Sequence, residues 1–291
     1  MRHTLSLPVV QSNPSALAYF RFGEVAGRML LTNDAGQWHF LTKDDFTLFV
    51  GGSLSSGHPQ YEALVEKGFV RDGMNIEALA QRVGRKKHFV GVGPHLHICI
   101  TTLRCNQSCQ YCHASRTDMD EVSTDMTMET AKQVVDQAMQ SSSKYINFEF
   151  QGGEPTVNMP IIKFIVEYSR EKNKYEGKTL DHALVTNMTY MTEENAEWLI
   201  DNGVLICTSL DGPEEVHNYN RRWKTGTNAY EHVIRWMDYF NRRYIEKGLD
   251  PNVFHVDALM TTTRASTEHW KEIVDLYVER GLRSIHLRPL N

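Results

Sequence analysis

A chain of 291 residues that is 41% hydrophobic and 23% charged carries enough apolar material for one large core or two modest ones, which excludes intrinsic disorder and a mini-protein scaffold. Its 31 Lys and Arg against 36 Asp and Glu leave a formal charge of −5, so no global field draws it to nucleic acid or to an anionic membrane. The opening MRHTLSLPVVQSNPS lacks the apolar length and cleavage pattern of a secretion signal, no apolar run reaches the ~18 residues of a membrane span, and the chain reads as cytoplasmic.

In chain order, residues 18–22, 28–32 and 38–41 predict the three strands of a small meander, the last two separated by the turn-forming Asn33-Asp34-Ala35-Gly36. Thr42 followed by Asp44 and Asp45 predicts a helix start ahead of Phe46, Leu48, Phe49 and Val50, and residues 61–67 supply a second short helix ended by Gly68. Two compositional breaks follow, the Gly/Ser/Pro-rich 51–59 and the basic 82–94. The second divides the chain into a small α+β domain (1–85), a linker (86–94) and a core (95–291). Within the core, strand-like runs at 95–101, 145–150, 180–186, 204–209, 253–260 and 284–288 alternate with helical spacing at 128–139, 161–172, 193–200, 230–244 and 269–280. This is the pattern of parallel βα units joined by right-handed crossovers, an α/β architecture that is either an open sheet or a partial (β/α)6 barrel. In both, functional residues gather beyond the carboxyl ends of the strands.

Five cysteines are an odd number, and three of them, Cys105, Cys109 and Cys112, crowd into a C-x3-C-x2-C loop after the first core strand. A disulfide framework is spaced differently. Three thiolates with no local fourth ligand suit a [4Fe–4S] cluster that leaves one iron open. Zinc with His113 as the added ligand and three structural cysteines are the alternatives. Cys99 and Cys207 read as buried strand residues, and His95, His97, His255 and His286, dispersed along strands, are assigned no metal.

The cysteine loop after the first strand, followed by Gly152-Gly153-Glu154-Pro155 after the second, resembles the radical S-adenosylmethionine (SAM) superfamily. The resemblance implies a [4Fe–4S] cluster on Cys105, Cys109 and Cys112. It places Tyr111 against the adenine, and Gly152, Gly153, Glu154 and Pro155 at the SAM amino group. Thr186-Asn187 closes the third strand, and Ser209-Leu210-Asp211-Gly212-Pro213 closes the fourth, followed by His217 and Arg221-Arg222. This series is similar to the peptide-modifying, SPASM-like branch, which implies that Asn187, Ser209, Asp211 and Arg221 lie around SAM, with Ser209 and Arg221 as its polar contacts. A guanidinium fork suits a carboxylate, and short hydroxyl or carboxylate side chains suit a ribose. Backbone near 287–290 is the implied adenine contact.

With Phe20-Arg21-Phe22, the segment 29–36 and Thr101-Thr102-Leu103-Arg104-Cys105-Asn106 included, the chain resembles the His-Xaa-Ser system radical SAM maturase family, HxsB. That resemblance implies reductive cleavage of SAM to a 5′-deoxyadenosyl radical that takes hydrogen from a ribosomally made His-Xaa-Ser repeat peptide. Its implied partners are the precursor peptide, a flavodoxin or ferredoxin as electron donor, and a paired radical SAM maturase. Such proteins continue into a cysteine-rich extension with auxiliary clusters, which residues up to Asn291 do not contain. A sulfatase-maturing peptide oxidase and a non-catalytic iron–sulfur scaffold are the competing functions, with a zinc-binding regulatory module as a remote third. The meander of residues 1–85 is expected either to accept an added precursor strand or to cap the barrel.

Overall fold

The computed structural model describes residues 16–224, 226 and 228–289, and these divide between Val92 and Gly93 into two units. The start MRHTLSLPVVQSNPS, Leu290 and Asn291 lie outside the described residues.

In the first unit, β1 (Arg21–Val25), β2 (Arg28–Thr32) and β3 (Trp38–Leu41) form an antiparallel sheet in that order, followed by α1 (Lys43–Val50), α2 (Tyr61–Glu66) and α3 (Ile76–Lys86). The first strand occupies Arg21–Val25 instead of 18–22. Ala26 and Gly27, at φ 49° and 77°, make the two-residue turn that sets Val25 opposite Arg28. Residues 17 and 18 instead meet 69 and 70, with the Ala18 amide donating to Phe69 O at 3.0 Å. Thr42 caps α1 by accepting from the Asp45 amide at 3.0 Å. Phe46 and Phe49 of that helix then pack with Leu31, Leu41, Leu64 and Phe69. Helix α3, capped by Asn75, was not expected and extends into the basic stretch. Its Arg85 and Lys86 sit at the carboxyl end, where the helix dipole favours cations.

The second unit is built on β4 (Leu96–Thr102), β6 (Tyr145–Gly152), β7 (Thr179–Thr186), β8 (Leu205–Ser209), β10 (Val256–Thr262) and β11 (His286–Pro289). They form one six-stranded sheet, ordered β11-β10-β8-β7-β6-β4 and parallel throughout, as a partial (β/α) barrel requires. The connections carry α4 (Met128–Met139), α5 (Met159–Glu176), α6 (Glu193–Asp201), α7 (Glu214–Asn220), α8 (Ala229–Glu246), α9 (Arg264–Glu268) and α10 (Trp270–Glu279). Alternation sorts each strand between two faces. On β6, Ile146, Phe148 and Phe150 are fully buried with Val135 of α4 and Ile162 and Ile165 of α5, whereas Asn147, Glu149 and Gln151 are half-buried on the other face.

Local chemistry accounts for the shifted ends. Pro160 in the first turn and Gly177 at φ 63° extend α5 beyond the expected 161–172. Strand β10 starts at Val256 instead of 253 because the amides of Val253 and Phe254 turn back onto Asp250 O, at 3.0 and 2.8 Å. Thr263 and Ser266 form a capping box that opens α9 ahead of the expected 269–280 helix. Two three-residue strands, β5 (Gln107–Cys109) and β9 (Arg221–Trp223), pair antiparallel outside the main sheet. Among the described residues, no helix is long and apolar enough to cross a membrane.

His182 on β7 is buried against the stacked ring of Phe148, with Nε2 2.8 Å from Ser169 Oγ. Burial pushes its pKa down from 6.5 to about 4. Below pH 6.5 the unfolded chain takes up a proton that the fold refuses, so stability is complete above that value and declines toward pH 4. Denaturant titration at neutral pH and near the lower limit should show a loss of up to ~3 kcal/mol. His182→Asn should flatten this dependence.

Candidate functional site

At the carboxyl ends of the parallel strands lies a cleft of about 320 Å³, lined by Cys105, Cys109, Cys112, Gly152, Gly153 and Ser209, with Tyr111, Asn187 and Arg221 also on its wall. The site residues inferred from sequence therefore converge, although several of them face the protein and not the open space.

The cysteine loop leaves β4 through a bulge between Ile100 and Thr102, a device that redirects a strand near a site. Its base is held by Arg104, whose fork donates to both oxygens of Asp125 at 2.8 and 2.5 Å, with Thr102 Oγ1 adding a third bond at 2.6 Å. Cys105 is buried, Cys109 half-buried and Cys112 exposed. Burial pushes the Cys105 thiol up to about 12 and also raises Cys109, whose nearest cation, Arg221, opposes the shift. Two donors nevertheless point at Cys105 Sγ, the Gln107 amide at 3.4 Å and Asn187 Nδ2 at 3.7 Å. That donor set would stabilise a thiolate if a metal replaced the proton. Among the described residues, no three His, Cys, Asp or Glu side chains converge tightly enough for one metal ion. The three thiols all line the cleft, and three thiolates without a fourth protein ligand suit a [4Fe–4S] cluster with one open iron better than a closed tetrahedral zinc site. His113, the added zinc ligand considered above, has Nε2 3.2 Å from Arg288 Nη2.

The Gly152-Gly153-Glu154-Pro155 turn packs against the start of the cysteine loop. Gly152, at φ 155°, has Thr102 O 2.1 Å from where a Cβ would stand, and at Gly153 the Arg104 and Leu103 carbonyls stand at 2.3 and 2.4 Å. The glycines thus admit the backbone of the cysteine loop, to which the amides of Gly153 and Glu154 donate at 2.9 and 2.7 Å. Glu154 and Pro155 do not line the cleft. The fully buried Glu154 carboxylate accepts from Thr156 N and Oγ1 and from Thr186 Oγ1 on Oε1, at 3.1, 2.6 and 2.7 Å. Its Oε2 accepts from the Asn187 amide at 2.8 Å. Burial raises its pKa despite these bonds. Glu154 thereby braces β6 against β7.

Asp211 is enclosed in the same way. Its fully buried carboxylate accepts from Tyr111 OH at 2.5 Å, Arg221 Nε at 3.1 Å, Arg221 Nη2 at 3.3 Å and the Thr261 amide at 3.2 Å. A ribose would have to displace one of these donors. Tyr111 carries the Arg221 guanidinium over its ring at 5.3 Å, and desolvation raises its phenol. Asn187 is braced through Oδ1 by the Thr189 amide and hydroxyl at 2.9 and 2.6 Å. The next residue, buried Met188, is held at φ 59°, a conformation that costs a side-chain-bearing residue ~1–3 kcal/mol and concentrates at functional sites. His217 is fully buried, accepts from the Asp211 amide at 3.3 Å, and is driven down to about 3 by burial.

Sequence reasoning missed Gln151 and Thr261 on the cleft wall and singled out only the backbone, not the side chain, at Arg288; it also missed the β5–β9 ribbon that sets Cys109 opposite Arg221. Three-residue strands carry no periodic signal, and strand-end alternation is the only cue for the first two. Cys99 is buried in the helix-side core as expected, whereas Cys207 is only half-buried.

Residues 99–277 match the Radical SAM superfamily. The chain belongs to that superfamily. Its radical SAM core is 28% identical over 198 residues to a cysteine-type anaerobic sulfatase-maturating enzyme of Clostridium perfringens, covering 64% of this chain and 53% of that one. A serine-type counterpart from Bacteroides thetaiotaomicron is 26% identical over 146 residues, 49% and 35% of the two chains. Among solved structures, native anSMEcpe with bound AdoMet superimposes with a TM-score of 0.59 at 24% identity, over 68% of this chain and 51% of that one. Streptococcus suis SuiB bound to precursor peptide SuiA shares the fold over 95% and 63%, at 16% identity and a TM-score of 0.51. This chain spans about half the length of the sulfatase-maturating relative from Clostridium perfringens. With the family come a [4Fe–4S] cluster and SAM as cofactors.

Gly153→Ala tests the packing of the turn. Its new methyl would meet backbone carbonyls that no rotamer change relieves, so a denaturant melt should show roughly 3 kcal/mol of lost stability.

Proposed function

We propose that this chain is the core of a radical SAM peptide maturase in which Cys105, Cys109 and Cys112 hold the [4Fe–4S] cluster. The observation that carries this reading is the placement of three unpaired thiols on one cleft wall, shared with the glycine turn and the ends of the third and fourth sheet-forming segments in chain order, β7 and β8. When bound, the cluster and SAM supply one-electron reductive cleavage that generates a hydrogen-abstracting 5′-deoxyadenosyl radical. The protein's part is orientation and exclusion of water. The carbonyls of Gly152 and Gly153 offer acceptors to an amine, while Ser209 and Arg288 bring a hydroxyl and a guanidinium suited to a ribose and a carboxylate. Glu154 and Asp211 act beneath these groups as braces.

A ribosomally made peptide of the His-Xaa-Ser type is the substrate we favour, on the strength of the N-terminal and cysteine-loop motifs that resemble that maturase family. The first unit is assigned to precursor docking. Among the described residues its sheet ends at β1 on one side and β3 on the other, and such edges accept an added strand. A flavodoxin or ferredoxin is the electron donor in this scheme, with a paired maturase acting on the same peptide. Sulfatase-type oxidation of a cysteine or serine side chain is the second reading, favoured by the names of the relatives.

Anaerobic reconstitution with iron and sulfide, followed by chemical reduction and SAM, should release 5′-deoxyadenosine, and Cys109→Ala should abolish the release. A cluster that forms without cleaving SAM would leave a scaffold instead. Mass change on a His-Xaa-Ser repeat peptide, but not on a sulfatase-type peptide, decides between the substrates. Removing residues 1–85 should abolish precursor binding; undiminished binding would refute the docking role.

A further inference from the structure

Cys109 stands directly opposite Arg221 in the β5–β9 ribbon, and the ribbon is extended at both ends. The Gln110 amide donates to Asn220 O at 3.0 Å, Gln110 Nε2 to Tyr219 O at 2.7 Å, and the Lys224 amide to Asn106 O at 3.0 Å. Segment 219–224 therefore runs beside the thiol-bearing loop as a splint. The splint is anchored through Arg221, which is only 8% exposed beside a carboxylate with no exposure at all. Burying such a pair costs several kcal/mol per ion unless geometry and extra hydrogen bonds compensate. Here Asp211 gains them from three directions: Arg221 on β9, Tyr111 in the cysteine loop and the Thr261 amide on β10. One carboxylate thus ties the cysteine loop, its splint and the sheet together.

With Nε and Nη2 engaged by Asp211, the third guanidinium nitrogen, Nη1, lies 4.0 Å from Cys109 Sγ. The sequence reading gave Arg221 to the SAM carboxylate. The bonded geometry points elsewhere. Resting on the function proposed above, we propose that Arg221, held by Asp211, is the positioning residue of the cysteine loop: its fork fixes Cys109 in the ribbon, and its charge favours the reduced form of a cluster held there. Addition of one electron makes the cluster more negative, and a fixed cation beside a ligand sulfur in a low-dielectric wall stabilises that change. The other charged groups around Cys109 are Asp211, which opposes the effect, and Cys112. Arg221 is the member of the pair that reaches the sulfur.

Two readouts on the full chain test this, neither of them turnover. In cluster-free reduced protein, hydrogen exchange is followed across residues 105–112, with 161–176 as the internal reference. In reconstituted protein without SAM, the cluster is titrated by EPR. Arg221→Gln should speed exchange across 105–112 at least tenfold and leave the reference unchanged. It should also weaken the equilibrium for cluster reduction about tenfold, a fall of about 59 mV for one electron. Arg221→Lys separates the two roles, since it keeps the charge and loses the fork: the potential should return most of the way to wild type while loop exchange stays fast. Wild-type exchange or a wild-type potential in Arg221→Gln overturns the proposal, and so does an effect confined to SAM affinity. Should the wild-type chain take up no cluster, the proposed function fails, and the exchange comparison alone decides whether Arg221 holds the loop.

Discussion

The buried carboxylate of Glu154 accepts four hydrogen bonds from within the chain, and the cleft depends on that saturation. Its own amide donates to Arg104 O, and its oxygens gather Thr156, Thr186 and the Asn187 amide. The ends of β4, β6 and β7 are thereby fixed relative to one another by one residue. A carboxylate with no exposure would be costly without these donors. With them it becomes a rigid node, because each bond is made in a dry and densely packed region. The thiol of Cys105 and the side chain of Asn187 inherit their positions from it.

The same logic recurs at Asp211 and Asp125. Each of the three carboxylates anchors a different part of an irregular segment that has little regular secondary structure to hold it: Asp125 at the base of the cysteine loop, Glu154 beneath the glycine turn, Asp211 behind Tyr111 and Arg221. A cluster-binding loop has to keep its thiols at set separations before the iron arrives, and hydrogen-bonded struts from the sheet supply that preorganisation. The glycines contribute by allowing two backbone segments to approach to hydrogen-bonding distance.

Much of the architecture was legible in the residues. The six core strands and five of the helices between them follow from periodicity, with the 128–139 helix matching α4 end for end, whereas the short α7 and α9 give too few turns to show it. Boundaries moved where backbone chemistry outweighed side-chain pattern, as at Ala26-Gly27, whose positive φ values place the first strand, and at Asp250, whose carbonyl holds back the start of β10. Helix α3 escaped notice although Ile76, Leu79, Ala80 and Val83 stand at helical spacing behind the Asn75 cap, because its carboxyl half lies in the basic stretch that reads as a linker.

The order of residues along the chain was sufficient to determine the parallel α/β plan, the three-cysteine loop after the first core strand and the glycine turn after the second, since spacing and periodicity are local properties. Which side chains face the cleft was decided only by tertiary structure. Glu154 and Asp211 look like ligand-binding carboxylates in a motif, yet folding surrounds them with donors from distant strands and turns them inward. Arg221 lies 112 positions from Cys109 in the chain. Their apposition arises from the antiparallel pairing of two three-residue strands, which leaves no periodic trace in either segment.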